Sequence, residues 1–289
     1  MSDATSRAAG RAEGPADDGD AFPMLPLKAG RRAFGHDPEG YAAARPSYPS
    51  ALWDAVDAAC SLRDASVFEV GPGTGAATLP LLRRSPRRLV AIEPDARLAA
   101  YLERRAASPG DRLQIRREPF EEAALGAGEF DLGVAATSFH WLDQRPALRQ
   151  ARRALRPGGL WAMWWTVFTD PDLADPFTEA CAPIFCALPS SRTLRTGRAP
   201  FALDEPARLA DLRAAGFGAC TAQRFRWRTA MDADATVALT ATFSQVSQAM
   251  SAAREAALSA IGALVRDRFG GRLERHFVSV LYLARNGDE

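Results

Sequence analysis

The chain has a single lysine, Lys28, and only three histidines. That scarcity removes one class of chemistry. A nicotinamide-dependent oxidoreductase built on a Tyr/Lys pair has no lysine to use beyond the first 34 residues. Cysteine is scarce as well: Cys60, Cys181, Cys186 and Cys220 lack ribbon or finger spacing, and no histidine completes a set beside Cys181 and Cys186, so no metal is expected. They read as reduced, mostly buried thiols of a cytoplasmic protein. Charge of one sign is missing too. A formal net charge of +1 offers no bulk field for nucleic acid or an anionic membrane. No apolar run approaches the roughly 20 residues of a membrane span. Residues 1–34 hold no apolar stretch of signal-peptide type and read as a disordered, solvated tail. What is present is a hydrophobic fraction of 47% in 289 residues, enough to bury a sizeable core.

From residue 66 onward short apolar runs alternate with helical patterns. SVFEV (66–70), LVAIE (89–93), LQIRR (113–117), FDLGVAA (130–136) and LWAMWW (160–165) read as strands. Between them, DARLAAYLERRA (95–106) places Leu98, Tyr101, Leu102 and Arg105 on one helical face, and RPALRQARRALRPGG (145–159) reads as a helix stopped by Pro157 and two glycines. Such alternation implies right-handed βαβ units and a parallel sheet covered on both faces. After Trp165 the pattern changes to a long, proline-broken segment (166–205) with an amphipathic middle, expected to cover a site as a lid. A helix over 206–217, a strand over 220–229, helices near 233–245 and 249–268 and a closing strand over 275–285 follow. Ala257, Leu258, Ile261, Leu264 and Val265 form the apolar stripe of the second of those two helices. One domain over 35–289 is expected, with a cofactor-binding core (35–165), a lid (166–205) and a part completing the sheet (206–289).

The stretch VFEVGPGTGAAT (67–78) runs strand, glycine turn, helix, which puts Gly71, Gly73 and Gly75 at the carboxyl edge of the first strand, where doubly wound sheets hold ligands. Alone the pattern is ambiguous, because Gly71, Gly73 and Ala76 also satisfy a relaxed dinucleotide fingerprint. Two carboxylates weigh against the dinucleotide, and neither decides the matter alone, since both rival ligands carry a ribose. Glu69, at the strand end, is awkward for a pyrophosphate and suits an ammonium group, directly or through water, unless it merely caps a helix. Glu93, ending the second strand, is placed to accept from both hydroxyls of a ribose. A ligand with a ribose and an amino-acid end but no phosphate is S-adenosylmethionine.

EVGPGTG, AIEPD, FDLGVAATSFHWLD and RALRPGGLWAMWW, in that order and spacing, resemble the successive motifs of class I S-adenosylmethionine-dependent methyltransferases. Upstream, GYAAARPSYP (40–49) is similar to a Y-x-x-x-R-P-x-Y-P signature of that family's small-molecule, trans-aconitate branch, and TFSQVS (242–247) and VLYLAR (280–285) match more loosely. The resemblance implies a Rossmann-like, doubly wound sheet of seven strands with the last one reversed. It also implies residue roles. Gly71, Gly73 and Gly75 line the methionine and ribose, Glu93 holds the ribose hydroxyls, and Pro94 and Phe120 lie against the adenine. Glu118-Pro119-Phe120 departs from the family's usual residues beside the adenine. Ala136 and Thr137 lie beneath the sulfonium, and Tyr41 and Arg45 close over the methionine end, Arg45 pairing with its carboxylate.

The resemblance implies that residues just beyond the fourth strand, where His140 stands, face the acceptor. His140 is either a general base or part of the pocket wall. Trp141, Trp164, Trp165 and Phe168 suggest an aromatic acceptor pocket, or packing beneath the lid. Arg192, Arg195 and Arg198 recur every third residue, so an inward-facing loop would bind an acid, whereas a wall of aromatics with His140 would take a phenol or other neutral aromatic. The expected partner is a small-molecule acceptor, with neither nucleic acid nor membrane, and monomer and homodimer both stand. Methyl transfer needing no metal is the leading function. Cofactor binding without transfer, as a partner subunit, and nicotinamide-dependent oxidation are the alternatives.

Overall fold

The computed structural model describes residues 35–106, 112–188 and 200–287. Its centre is one sheet of seven strands in the order β3-β2-β1-β4-β5-β7-β6. These are β1 (Ser66–Val70), β2 (Arg88–Ile92), β3 (Leu113–Arg116), β4 (Phe130–Ala136), β5 (Leu155–Val167), β6 (Gly218–Asp232) and β7 (Arg272–Arg285). The first five run parallel, whereas β7 lies antiparallel between β5 and β6. The predicted reversed last strand is therefore present.

Because successive side chains on a strand face opposite ways, each central strand feeds two cores. Phe68 and Val70 of β1, Trp161, Met163 and Trp165 of β5, and Val280 and Tyr282 of β7 enter one core. Val67, Leu160, Ala162, Trp164, Leu281 and Leu283 enter the other, against Leu52, Trp53 and Val56. Those last three belong to α2 (Ser50–Ala59), which follows the short α1 (Pro38–Ala44). The near absence of polar residues in β1, β4 and β5 follows from this two-sided burial.

Helices α3 (Thr78–Arg83), α4 (Ala96–Arg105) and α5 (Gln144–Ala154) connect the parallel strands. Asp95 caps α4 by accepting from the Arg97 N–H at 2.9 Å. The helix expected to run to Pro157 ends at Ala154, and β5 starts at Leu155. Pro157 and its two glycines belong to the strand's irregular start, where the pairing with β4 shifts register between Phe130 and Leu132.

β6 and β7 form a ribbon that stays paired from Gly218↔Arg285 to Asp232↔Arg272. Its far end carries α6 (Pro176–Cys186) from the predicted lid and α10 (Ser251–Arg268), joined through Phe177, Cys181, Ile261, Val265 and Leu273. Between ribbon and α10 come α8 (Ala233–Ala241) and the single-turn α9 (Ser244–Ser247), preceded in the chain by α7 (Glu205–Ala214). The cover over the sheet is thus made by two stretches of chain rather than by 166–205 alone. None of the helices described is long and apolar enough to cross a membrane.

Candidate functional site

A cavity of about 740 Å³ opens where the strand order reverses between β1 and β4, at their carboxyl ends. One end is built from the glycine turn and the end of β2. At Gly73 the backbone has φ +57°, and a Cβ there would meet nothing within 4 Å, so the chain leaves an open bay above it. Glu93, buried, spans that bay. One of its oxygens accepts from the Gly73 N–H at 3.0 Å, and the other accepts from the Asp95 N–H at 2.9 Å. Burial raises its carboxyl to about 7, against the lowering effect of those two bonds. Gly71, Pro94 and Phe120 complete this end.

Gly75 and Glu69 stand elsewhere. Gly75 does not line the cavity. Its φ is +90°, and a Cβ would fall 2.6 Å from Cδ1 of Leu102, so this glycine lets α4 pack on the turn rather than a ligand approach it. Glu69 is fully buried beneath the turn and is not part of the wall. It alternates with Phe68 and Val70 and so faces the Val67 side, where the Thr78 hydroxyl donates to its Oε2 at 2.7 Å. Its Oε1 has no partner among the described residues, and burial raises the carboxyl to about 8. Direct contact between Glu69 and a ligand ammonium is not what this geometry presents; the side chain braces the start of α3.

The middle of the cavity is set by β4. Ala136 lines it, and Thr137 is held at φ +56°, a left-handed conformation costly for a β-branched residue. Two bonds maintain it: the Thr137 N–H donates to the Trp164 carbonyl at 2.7 Å, and its hydroxyl lies 3.0 Å from the Tyr48 hydroxyl. Tyr48 stands edge-on to Trp164 and Trp53, and burial pushes its phenol well above the usual value, so it remains neutral. Ser138 closes the turn by donating to the Val70 carbonyl. Tyr48 and Ser138 carry roles that sequence reasoning missed, although Tyr48 lies inside the recognised GYAAARPSYP signature.

At the other end the wall is aromatic. Trp141, Trp165, Phe168, Phe185 and Phe243 line it. Trp164 does not. It alternates with Trp165 along β5, faces the opposite core and packs against Trp53 at 5.3 Å between ring centroids. Phe168 stacks on Phe243 at 5.5 Å, which brings the expected lid entrance against the TFSQVS segment. Tyr41 and Arg45 line the cavity, and Arg45 is already engaged. Its Nε donates to the Thr242 hydroxyl at 2.8 Å, an Nη donates to the Thr242 carbonyl at 3.0 Å, and its guanidinium lies 4.6 Å from the Phe168 ring centroid. The participation of Phe243, Ser244 and Gln245 was not foreseen in a role, because their distance in the chain from the glycine turn hides it.

His140 follows β4 in the short helical turn Phe139–Trp141 and lines the cavity. The Trp165 indole N–H donates to its Nδ1 at 2.9 Å. Since an indole nitrogen only donates, Nδ1 is the acceptor and the proton of a neutral ring sits on Nε2. The imidazole lone pair that a base requires is spent on Trp165. Arg192, Arg195 and Arg198 lie outside the described residues.

A doubly wound α/β sheet with a reversed strand and a cavity at the switch point is a Rossmann-like fold. Residues 68–163 match a family described as "Methyltransferase domain". That match runs from β1 into β5 and takes in the glycine turn, Glu93 and His140. Among curated proteins it is 25% identical over 155 residues to an uncharacterized methyltransferase of Schizosaccharomyces pombe, covering 53% of this chain and 59% of that protein. It is 32% identical over 133 residues to an uncharacterized methyltransferase of Mycobacterium bovis, covering 46% and 51%. The matched regions thus take in between half and three-fifths of those relatives. Among solved structures, the [4+2]-cyclase SpnF superposes with a TM-score of 0.59 at 15% identity, over 93% of this chain and 100% of that one. A putative type II methyltransferase from Anaeromyxobacter dehalogenans gives 0.58 at 20%, over 85% and 99%. These likenesses establish the fold.

Proposed function

We propose that the protein transfers a methyl group from S-adenosylmethionine to a small-molecule acceptor enclosed in the cavity. The observation that carries this is the bay above Gly73, open to a ligand and spanned by the buried Glu93 carboxylate. Its chemistry fits a nucleoside. Each Glu93 oxygen already takes one backbone N–H and keeps a lone pair for a ribose hydroxyl. Pro94 and Phe120 supply apolar surface for the base. Tyr41 and Arg45 stand at the methionine end, with Arg45 prepositioned by Thr242. Bound there, the cofactor supplies a methyl on a positively charged sulfur, which an acceptor lone pair takes as the C–S electrons return to sulfur. Thr137, fixed by Tyr48, is the floor of the reacting region. The enclosing aromatics exclude water and hold the acceptor in line. With its Nδ1 occupied, His140 serves as a hydrogen-bond donor and wall rather than as a base. The cover assembled from α6 and the 243–245 turn suits a small acceptor.

Calorimetric titration with S-adenosylmethionine and with NADH tests the cofactor, and binding of NADH alone would sink the reading. Glu93→Ala weakens S-adenosylmethionine binding by about 1–3 kcal/mol through lost charged hydrogen bonds. Formation of S-adenosylhomocysteine in the presence of acceptors separates transfer from cofactor binding without transfer.

A further inference from the structure

Arg45 lines the cavity, but the residue that holds it does not. Thr242 is buried and lies outside the cavity wall. The Arg45 guanidinium stands over the rings of Tyr41, Phe168 and Phe243, at 5.1, 4.6 and 5.8 Å from their centroids. Rings of this kind hold a cation without fixing its rotation; Thr242 fixes it. Nε and Nη2 form one donor fork of the guanidinium, and both donate to Thr242, at its hydroxyl and its carbonyl. The fork of Nη1 with the second N–H of Nη2 is left, and that is the geometry that takes a carboxylate on two points. The hydroxyl has no freedom in this arrangement. Its proton goes to the Leu239 carbonyl at 2.5 Å, at the end of α8, so towards Arg45 the oxygen can only accept. Helix α8 packs on α1, and Arg45 caps the end of α1. Directly after Thr242 the chain enters the cavity wall as Phe243, Ser244 and Gln245. A single residue therefore stands between the guanidinium and that part of the wall.

We infer that Thr242 is a positioning residue that couples the amino-acid end of the cofactor to the 243–245 part of the wall. It turns Arg45 to receive the cofactor's carboxylate, and a carboxylate seated there tightens the turn after α8. This rests on the reading that Arg45 meets the methionine carboxylate. The coupling is reciprocal: whatever the docked turn adds to cofactor affinity, the bound cofactor returns to the turn. A ligand with the same nucleoside and sulfur but no amino-acid end takes no part in it.

The test uses the whole protein and two ligands, S-adenosylhomocysteine and methylthioadenosine. The second keeps adenine, ribose and sulfur and lacks the amino-acid end. In Thr242→Val, which removes the hydroxyl and keeps the shape, S-adenosylhomocysteine is expected to bind about tenfold or more weaker by calorimetry. Methylthioadenosine changes by less than about threefold. Thr242→Ser, which keeps the hydroxyl, keeps the affinity. In an Arg45→Met background, Thr242→Val has no further effect on S-adenosylhomocysteine. Amide hydrogen exchange of the unaltered protein gives a readout that needs no variant to fold. At saturation, S-adenosylhomocysteine slows exchange across residues 239–247 more than methylthioadenosine does. Equal weakening of both ligands in Thr242→Val, as a merely structural role would give, overturns the assignment. Unchanged S-adenosylhomocysteine affinity in that variant, or equal protection by the two ligands, overturns it as well. If Arg45→Met weakens both ligands alike, Arg45 does not meet the carboxylate, and the inference falls with that reading. If neither ligand binds the unaltered protein, the cofactor reading itself fails and takes the inference with it.

Discussion

At the scale of single residues, the site is a set of polar groups whose neighbours have already decided what they can do. His140 illustrates this. From the motif alone it is either a base or a wall, and only the Trp165 N–H at 2.9 Å from Nδ1 separates the two. His140→Ala is therefore expected to lower kcat by less than about tenfold, where removal of a true base would cost about 10²–10⁴-fold. A steady-state pH profile that loses its acid limb in this variant would contradict that. The buried carboxylates Glu69 and Glu93 give a second expectation. Both are raised from an ordinary 4.5, to about 8 and about 7 respectively. The folded chain thus binds more protons than the unfolded one between about 4.5 and about 8. Stability of the ligand-free protein must fall as pH rises through that window. A melting temperature that drops between pH 6 and pH 8.5, and drops less in Glu69→Gln, is the expected observation; a rise over that interval would refute it. The identity of these residues was legible in the sequence, but not their states. Burial and partners such as Thr78 and Trp165 arise from chain segments that only the fold brings together.

At the scale of elements, the turn between β1 and α3 shows three glycines with three tasks. Gly71 passes against Ser138, where a Cβ would fall 2.7 Å from that residue's Cβ, Gly73 leaves the bay open, and Gly75 makes way for Leu102. Substitution separates them. Gly75→Ala is expected to destabilise by about 2–4 kcal/mol, combining overpacking with left-handed strain, in urea unfolding. Gly73→Ala, facing open space, is expected to cost only about 1–2 kcal/mol of strain while weakening S-adenosylmethionine disproportionately in calorimetry. If both lose stability and affinity in parallel, the division of labour is wrong. The G-x-G-x-G spacing announces the turn but not this division, since the pattern is silent about which Cβ vector meets protein and which meets ligand. Strands read better. β1 and β4 were expected at 66–70 and 130–136 and stand there. β5 was expected too short because Pro157, Gly158 and Gly159 look like a stop, whereas a bulged strand absorbs them. The pair Trp164 and Trp165 reads as one aromatic patch in a linear sequence, and the pleat splits it between two cores.

At the scale of the whole molecule, alternation of strands and helices was enough to predict the sheet, and the reversed strand came with the family resemblance. What the linear order concealed is that the cover is built from two distant stretches, joined where Phe177 and Cys181 meet Ile261 and Val265. Hydrophobic spacing marks which face of α10 is buried, not what covers it. β7 holds this arrangement together, because it pairs with β5 on one side and β6 on the other. Deletion of residues 272–289 should abolish cooperative thermal unfolding followed by far-UV circular dichroism. A truncated chain that still melts in one sharp transition would show that the parallel strands are self-sufficient. The placement of β7 also bears on biosynthesis. Of the seven strands it is the last to leave the ribosome, yet it fills an interior slot. Until it emerges, the Leu160–Trp165 border waits with its hydrogen-bonding groups and indoles facing solvent, and the growing polypeptide passes through an interval in which chaperone protection matters most.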